Sequence, residues 1–235
     1  MPVSHAAEML LKERESHPEY AILPSGSAAR RCRNCHARVG FRVRTMLKLL
    51  ALTLCLTAQS LPEDNARKLV TAAIAQTRTA VTYDGSYRRI SYPGGDVPAN
   101  IGVCTDVVIR AYRQLGIDLQ VKVHEDMRRA FRSYPALWGM RGPDSNIDHR
   151  RVPNLQTFFR RAGAELKRST DSGAYRPGDV VTWMLPGNLP HIGIVIGERL
   201  PSGVPLVVHN IGRGPEIEDM LFRYTITGHY RYSGH

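Results

Sequence analysis

Residue types and spacing in the second half of the chain could support nucleophilic catalysis by a cysteine. Cys104 lies where a loop rich in Gly, Pro and Tyr gives way to a helix, and free N–H groups at a helix start favour a thiolate. His191 begins a predicted strand, and an imidazole beside the sulfur would lower the thiol pKa and later protonate a leaving group. The next predicted strand ends in His209 and Asn210, and either side chain could orient the ring of His191. The sequence therefore predicts a Cys–His–His or Cys–His–Asn site.

The elements that must position these residues change character along the chain. Apolar residues at helical spacing predict helices at 61–80, 104–115, 122–134 and 153–163. Short β-branched runs between Gly/Pro turns predict strands at 180–184, 191–196, 205–210 and 221–226, with a further short strand at 230–232. Strand alternation places His191, Gly193 and Val195 on one face and the intervening isoleucines on the other. Because helices come first and an antiparallel meander follows, the predicted fold class is α+β.

Residues 46–60 have the layout of a secretory signal, although they do not begin the chain. Lys48 supplies a positive start, an apolar stretch follows, and small residues end the segment at the spacing that a signal peptidase needs. Such signals start at the initiator methionine. We therefore expect residues 1–45 to be an upstream extension of the reading frame without ordered structure, and 61–235 to be a single exported domain. The alternative is a buried hydrophobic helix after a disordered leader.

Export also decides how the cysteines are interpreted. Cys32-Arg-Asn-Cys35-His36 has the spacing of a c-type haem attachment motif, but it lies upstream of the export segment, where haem would not be attached. We therefore expect no haem, no metal and no organic cofactor. Once residues 1–60 are lost, Cys104 is the one remaining cysteine and has no disulfide partner. It is either buried and inert or kept for its chemistry.

Composition excludes several classes of protein. The chain has 235 residues, 43% of them hydrophobic and 23% charged, which argues against wholesale disorder. No apolar run reaches the roughly 18 residues of a spanning helix, so we expect no integral membrane span. The net charge of +11 comes without an arginine-rich arm, a Walker loop or zinc-finger spacing, so we expect no nucleic-acid partner. A basic surface also suits an anionic cell wall.

Several longer strings resemble known families. Three strings resemble the second half of the NlpC/P60 papain-like cysteine peptidases. They are Arg176-Pro-Gly-Asp-Val-Val-Thr-Trp183, His191-Ile-Gly-Ile-Val-Ile-Gly197 and Val207-Val-His-Asn210. The exported bacterial DUF1287 family, placed in that superfamily, is resembled more closely, through Tyr92-Pro-Gly-Gly-Asp96, Gly102-Val-Cys-Thr-Asp-Val-Val-Ile-Arg-Ala-Tyr112 and His209-Asn-Ile-Gly-Arg-Gly214. This resemblance covers nearly all of the chain after the export segment.

The resemblance implies a papain-like α+β fold, in which helices pack on an antiparallel sheet and the nucleophile starts a helix. It implies that Cys104 is the nucleophile, that His191 is the base and that His209 is the third polar residue. It also implies peptidoglycan or a cell-wall peptide as the substrate, in the periplasm or outside the cell.

Six further residues are candidates for binding substrate. Arg150 and Arg151 could hold the carboxylates of a wall peptide in bidentate fashion, or they could belong to a salt-bridged loop packed on the sheet. Asp106 could cap the nucleophile helix or bind substrate, and its charge would oppose a thiolate. The full set is Asp106, Tyr83, Asp148, Arg150, Arg151 and Trp183.

Together these observations predict an exported cysteine hydrolase that cleaves an amide bond in the cell wall. Backbone N–H groups at the helix start would hold the oxyanion, and His191 would move the proton. Two alternatives remain open. One is a catalytically silent envelope-binding protein on the same fold. The other is a cysteine acyltransferase, which would pass a thioester to an amine instead of water.

Overall fold

A computed structural model of the protein describes residues 60–234. The predicted leader 1–45, nearly all of the predicted export segment 46–60 and the Cys32-Arg-Asn-Cys35-His36 motif lie outside the described residues. Among the residues that are described, no helix is long and apolar enough to cross a membrane.

The helices of the described chain all precede the main sheet. They are α1 (Ser60–Ala75), α2 (Cys104–Arg113), α3 (Leu119–Ala130) and α4 (Val152–Arg161). Helix α2 ends earlier than predicted because the chain turns at Gly116, whose φ of 75° costs glycine little. Helix α3 begins earlier than predicted because the Asp118 side chain accepts a hydrogen bond from the N–H of Gln120 and so caps it.

The second half of the chain forms an antiparallel sheet with the strand order β6-β5-β4-β3-β7. Its strands are β3 (Val180–Leu185), β4 (Leu189–Arg199), β5 (Pro205–Asn210), β6 (Pro215–Glu218) and β7 (Thr225–Tyr230). Two short strands, β1 (Thr82–Tyr83) and β2 (Ile101–Gly102), pair in parallel and lead the chain into α2. Helices followed by an antiparallel sheet confirm the predicted α+β class.

The last strand differs from its prediction at 221–226. Leu221 lies in a turn, and its carbonyl accepts the indole N–H of Trp183 at 2.9 Å, which anchors the turn inside the fold. The strand starts only at Thr225, after this anchor.

The sheet separates two apolar clusters, and strand alternation decides which residues join each. Ile192, Ile194 and Ile196 pack with the helices in the larger cluster, which also contains Cys104. On the other face, Val195 packs with Trp183 and other apolar side chains of the sheet and its turns. The predicted separation of Val195 from the isoleucines is confirmed.

Candidate active site

Cys104 is the first residue of α2 and lies against the strand that carries His191. Only 5% of Cys104 is exposed, and its sulfur faces the backbone N–H groups of Ile192 and Thr105 and the hydroxyl of Tyr83. The N–H of Ile192 reaches the sulfur from the residue directly after His191. Helix α2 therefore delivers the sulfur to the point on β4 where the sequence predicts the base.

The ionisation state of Cys104 differs from the sequence prediction. Burial and, to a smaller extent, the nearby Asp106 carboxylate raise the pKa of the thiol to about 12. The N–H groups of Ile192 and Thr105 act in the opposite direction but do not outweigh burial. The resting group is a protonated thiol, and the expected thiolate is not the resting state.

His191 and His209 form a direct contact across neighbouring strands. Nε2 of His191 lies 3.0 Å from Nδ1 of His209, and the two ring planes are perpendicular. Both rings are buried, and burial lowers the pKa of His191 to about 3, so its resting form is the neutral imidazole. Because Nε2 is engaged by His209, Nδ1 is the nitrogen of His191 that is left to serve a thiol.

Gly193 permits this contact. It pairs with His209 in the β4–β5 ladder, and a Cβ at this position would lie 2.7 Å from the Val207 side chain and 3.0 Å from Cβ of His209. Any larger residue would push β5 away from β4. Glycine therefore lets the strand that carries His209 approach the ring of His191.

Asn210 serves a different contact from His209. Its Oδ1 accepts the N–H groups of Gly212 and Gly214 at 3.0 and 3.2 Å, and its Nδ2 donates to the carbonyl of Gly102 at 3.5 Å. Asn210 thus joins the end of β5 to β2, the short strand that precedes Cys104. Of the two orienting groups that the sequence left open, the structure brings His209 to His191.

Asp106 and Arg150 form a buried ion pair at the first turn of α2, close to Cys104. Nε and Nη2 of Arg150 each lie 2.8 Å from a carboxylate oxygen of Asp106, and both side chains are at most 3% exposed. The same carboxylate accepts the N–H of Val103 at 2.7 Å and so caps α2. Arg150 also donates to the carbonyls of Asp84 and Ser86 at 3.2 and 3.5 Å, which ties down the loop after Tyr83.

The burial of four predicted substrate-binding residues speaks against direct contact with substrate. Asp106 and Arg150 are paired with each other, and Asp148 is 1% exposed. Trp183 is fully buried, and its ring centre lies 6.0 Å from that of His191. These side chains hold the site in place. For Arg150 these contacts favour the alternative that the sequence left open, a salt-bridged loop packed on the sheet.

Tyr83 and Arg151 remain partly accessible. The Tyr83 hydroxyl lies against the Cys104 sulfur, and burial raises the pKa of this phenol. Arg151 pairs with Asp148 at 3.3 Å, and its guanidinium lies 4.2 Å from the ring centre of Trp138. Substrate binding by Tyr83 and by Arg151 stays a prediction.

Sequence reasoning missed Glu218, the last residue of β6. Its Oε2 lies 3.0 Å from Nε2 of His209. The signal was present in Pro215-Glu-Ile-Glu218, where two acidic residues alternate with an apolar one on a strand that follows His209. Within residues 60–234, no group of three or more His, Cys, Asp and Glu side chains could hold a metal ion.

Two solved structures resemble the chain at low sequence identity. NlpC1 from Trichomonas vaginalis is 15% identical with a TM-score of 0.39, over 72% of this chain, which spans only 44% of that protein. An N-acetylmuramoyl-L-alanine amidase from Bacteroides uniformis ATCC 8492 is 12% identical with a TM-score of 0.42, over 71% of this chain and 97% of that one. At these scores neither similarity assigns an activity.

Sequence similarity extends much further with one curated relative. Uncharacterized protein YijF from Escherichia coli (strain K12) is 44% identical over 202 residues, which cover 81% of this chain and 98% of the relative. The family model described as "Domain of unknown function (DUF1287)" matches residues 70–232, a range that includes Cys104, His191, His209 and Glu218. The chain belongs to the DUF1287 family.

Proposed function

We propose that the protein is an exported cysteine hydrolase that cleaves an amide bond in peptidoglycan or a cell-wall peptide. Cys104 is the nucleophile, His191 is the base, and His209 orients His191. The observation that carries the proposal is the 3.0 Å contact between the two imidazoles, made on the strand whose next N–H group faces the Cys104 sulfur. In such a triad the cysteine at the helix start is the nucleophile, the first histidine is the base and the second polar ring orients that histidine.

The proposed reaction moves one proton and forms one thioester. Nδ1 of His191 takes the thiol proton of Cys104 as the sulfur attacks the amide carbonyl carbon. Backbone N–H groups at the start of α2 stabilise the oxyanion. The C–N bond then breaks, and the amine leaves with the proton from His191. Water, deprotonated by the same imidazole, hydrolyses the thioester and restores the thiol.

Burial makes the resting pair neutral, which favours proton transfer during attack over a preformed ion pair. Before a carbonyl can reach the sulfur, the Tyr83 hydroxyl that lies against it must move aside. Arg150 holds the loop after Tyr83 through the carbonyls of Asp84 and Ser86. Access to the nucleophile therefore depends on the motion of one short loop.

The choice of a wall substrate follows from two features of the sequence. The motifs around His191 and His209 resemble those of NlpC/P60 peptidases, and residues 46–60 have the layout of an export signal. Residues 61–235 hold 23 Lys and Arg against 17 Asp and Glu, and this net charge of +6 also favours an anionic wall polymer.

The test is digestion of purified peptidoglycan followed by mass spectrometry of the soluble fragments. The native protein should release fragments with a newly freed amine and carboxylate, while Cys104→Ala should release none and melt within a few degrees of the native protein. Asn210→Ala is a useful comparison, because it alters β5 next to His209 without removing an imidazole. Identical fragment profiles from the native protein and Cys104→Ala would refute the proposal.

The closed state of Cys104 favours a second candidate, a catalytically silent envelope-binding protein. A thiol that is 5% exposed, with its pKa raised to about 12, is also what an inert packing cysteine shows. This candidate predicts that the native protein and Cys104→Ala sediment equally with purified wall and that neither releases fragments.

A further inference from the structure

Strand β6 places a carboxylate behind the second imidazole. In the β5–β6 ladder Glu216 lies opposite His209, and Glu218 lies opposite Val207, so Glu218 is the diagonal neighbour of His209 on the same face. Oε2 of Glu218 lies 3.0 Å from Nε2 of His209, and the Glu218 side chain is 19% exposed. With the contact between the two rings, this gives a continuous line from Glu218 through His209 to His191.

The chemistry of these groups favours one placement of the ring protons when both rings are neutral. The ionised carboxylate of Glu218, 3.0 Å away, repels a lone pair on Nε2 of His209 and so favours the tautomer that carries its proton on that nitrogen. In a neutral ring Nδ1 of His209 is then an acceptor, and it takes the hydrogen bond from the N–H at Nε2 of His191. Nδ1 of His191 is left without a proton, which is the form that a base requires.

We propose that Glu218 is a positioning residue that fixes the tautomers of both histidines through this relay. The inference deepens the proposed function and rests on it for its catalytic meaning, since the relay leaves Nδ1 of His191 bare, which is the form that a base for the Cys104 thiol requires. Glu218 touches neither substrate nor sulfur and acts only through His209. Its charge also stabilises the imidazolium that forms when the thiol proton moves.

A second carboxylate in the same strand requires separate treatment. Glu216 lies directly opposite His209 in the β5–β6 ladder, and its carboxylate lies 3.4 Å from the guanidinium of Arg213. Since it is the direct cross-strand neighbour of His209, Glu216 is unsuitable as a control. Glu198, exposed near the end of β4, allows the same loss of charge away from the relay.

The test is nitrogen NMR of protein labelled in its histidine rings, which separates protonated from bare ring nitrogens. The chain has 9 histidines, and the variants His191→Gln and His209→Gln identify the two resonance pairs. The native protein should show both rings neutral, with Nε2 protonated and Nδ1 bare. Glu218→Leu and the milder Glu218→Gln should shift His209 toward a mixture of tautomers, whereas Glu198→Gln should leave both rings unchanged.

Turnover gives a second measurement. Glu218→Gln should lower kcat about 10- to 100-fold with KM nearly unchanged, the range seen when a metal-bound histidine loses its carboxylate partner. A native His209 protonated at Nδ1, or tautomers unaffected by both Glu218 variants, would overturn the inference. If the tautomers are as predicted but the native protein cleaves no wall peptide, the relay stands and the proposed hydrolase fails.

Discussion

Replacing Arg150 with methionine tests the buried ion pair at the start of the helix that carries Cys104. The change leaves the Asp106 carboxylate 3% exposed and without its two 2.8 Å hydrogen bonds, so that only the N–H of Val103 remains. Removing one partner of such a pair costs about 3–5 kcal/mol of unfolding free energy. At about 2–4 °C per kcal/mol, the melting temperature should fall by roughly 6–20 °C. The free energy is measured by urea denaturation with circular dichroism.

Two further variants separate the ion pair from general disturbance. Arg160→Met removes one half of the exposed pair with Glu165 and should cost no more than about 1 kcal/mol. Adding Asp106→Asn to Arg150→Met removes the stranded charge but keeps an oxygen for the N–H of Val103, so it should recover much of the loss. A loss with Arg150→Met as small as that with Arg160→Met would refute the reasoning.

Three other perturbations probe the neighbouring groups. Gly193→Ala should push the strand of His209 away from β4 and lower kcat by about 10-fold or more, because a 1 Å misplacement can cost 100-fold, and unchanged turnover would contradict the close approach. Alkylation of Cys104 by iodoacetamide at pH 7 should be about 100-fold slower than that of free cysteine, and its rate should still be rising above pH 10. A plateau near neutral pH would instead indicate a stabilised thiolate. Burial lowers the pKa of His191 to about 3 in the folded protein. As the pH falls below about 6.5, this ring therefore binds a proton in the unfolded chain but not in the folded one. Stability should then drop by about 1.4 kcal/mol per pH unit from this ring, and a His191→Gln variant with the same slope would contradict its burial in neutral form.

Local pattern was sufficient to predict the elements that carry the candidate site. The start of α2 at Cys104 and the alternation along His191–Val195 follow from spacing alone, because helix and strand periodicities fix which side chains share a face. The end of α2 at Gly116 and the cap at Asp118 shifted two boundaries, since local backbone chemistry decides the last turn.

Properties that depend on register or on tertiary burial could not be predicted in the same way. The choice between His209 and Asn210 depends on a one-residue register between β4 and β5, which the pairing of Gly193 with His209 fixes. Burial of Cys104 reverses the effect expected from the helix start. Arg150 looks like a surface ligand in sequence, but its partner Asp106 is 44 residues away.

Intact-protein mass spectrometry tests the central claim most directly. The protein is incubated briefly with soluble wall peptides, quenched in acid and digested to locate any added mass. We predict that an acyl group is found on Cys104 in the native protein, that hydroxylamine removes it, and that Cys104→Ala carries none. Peptides that are cleaved while Cys104 stays unmodified, or an equal adduct on the Cys104→Ala protein, would contradict the assignment of Cys104 as the nucleophile.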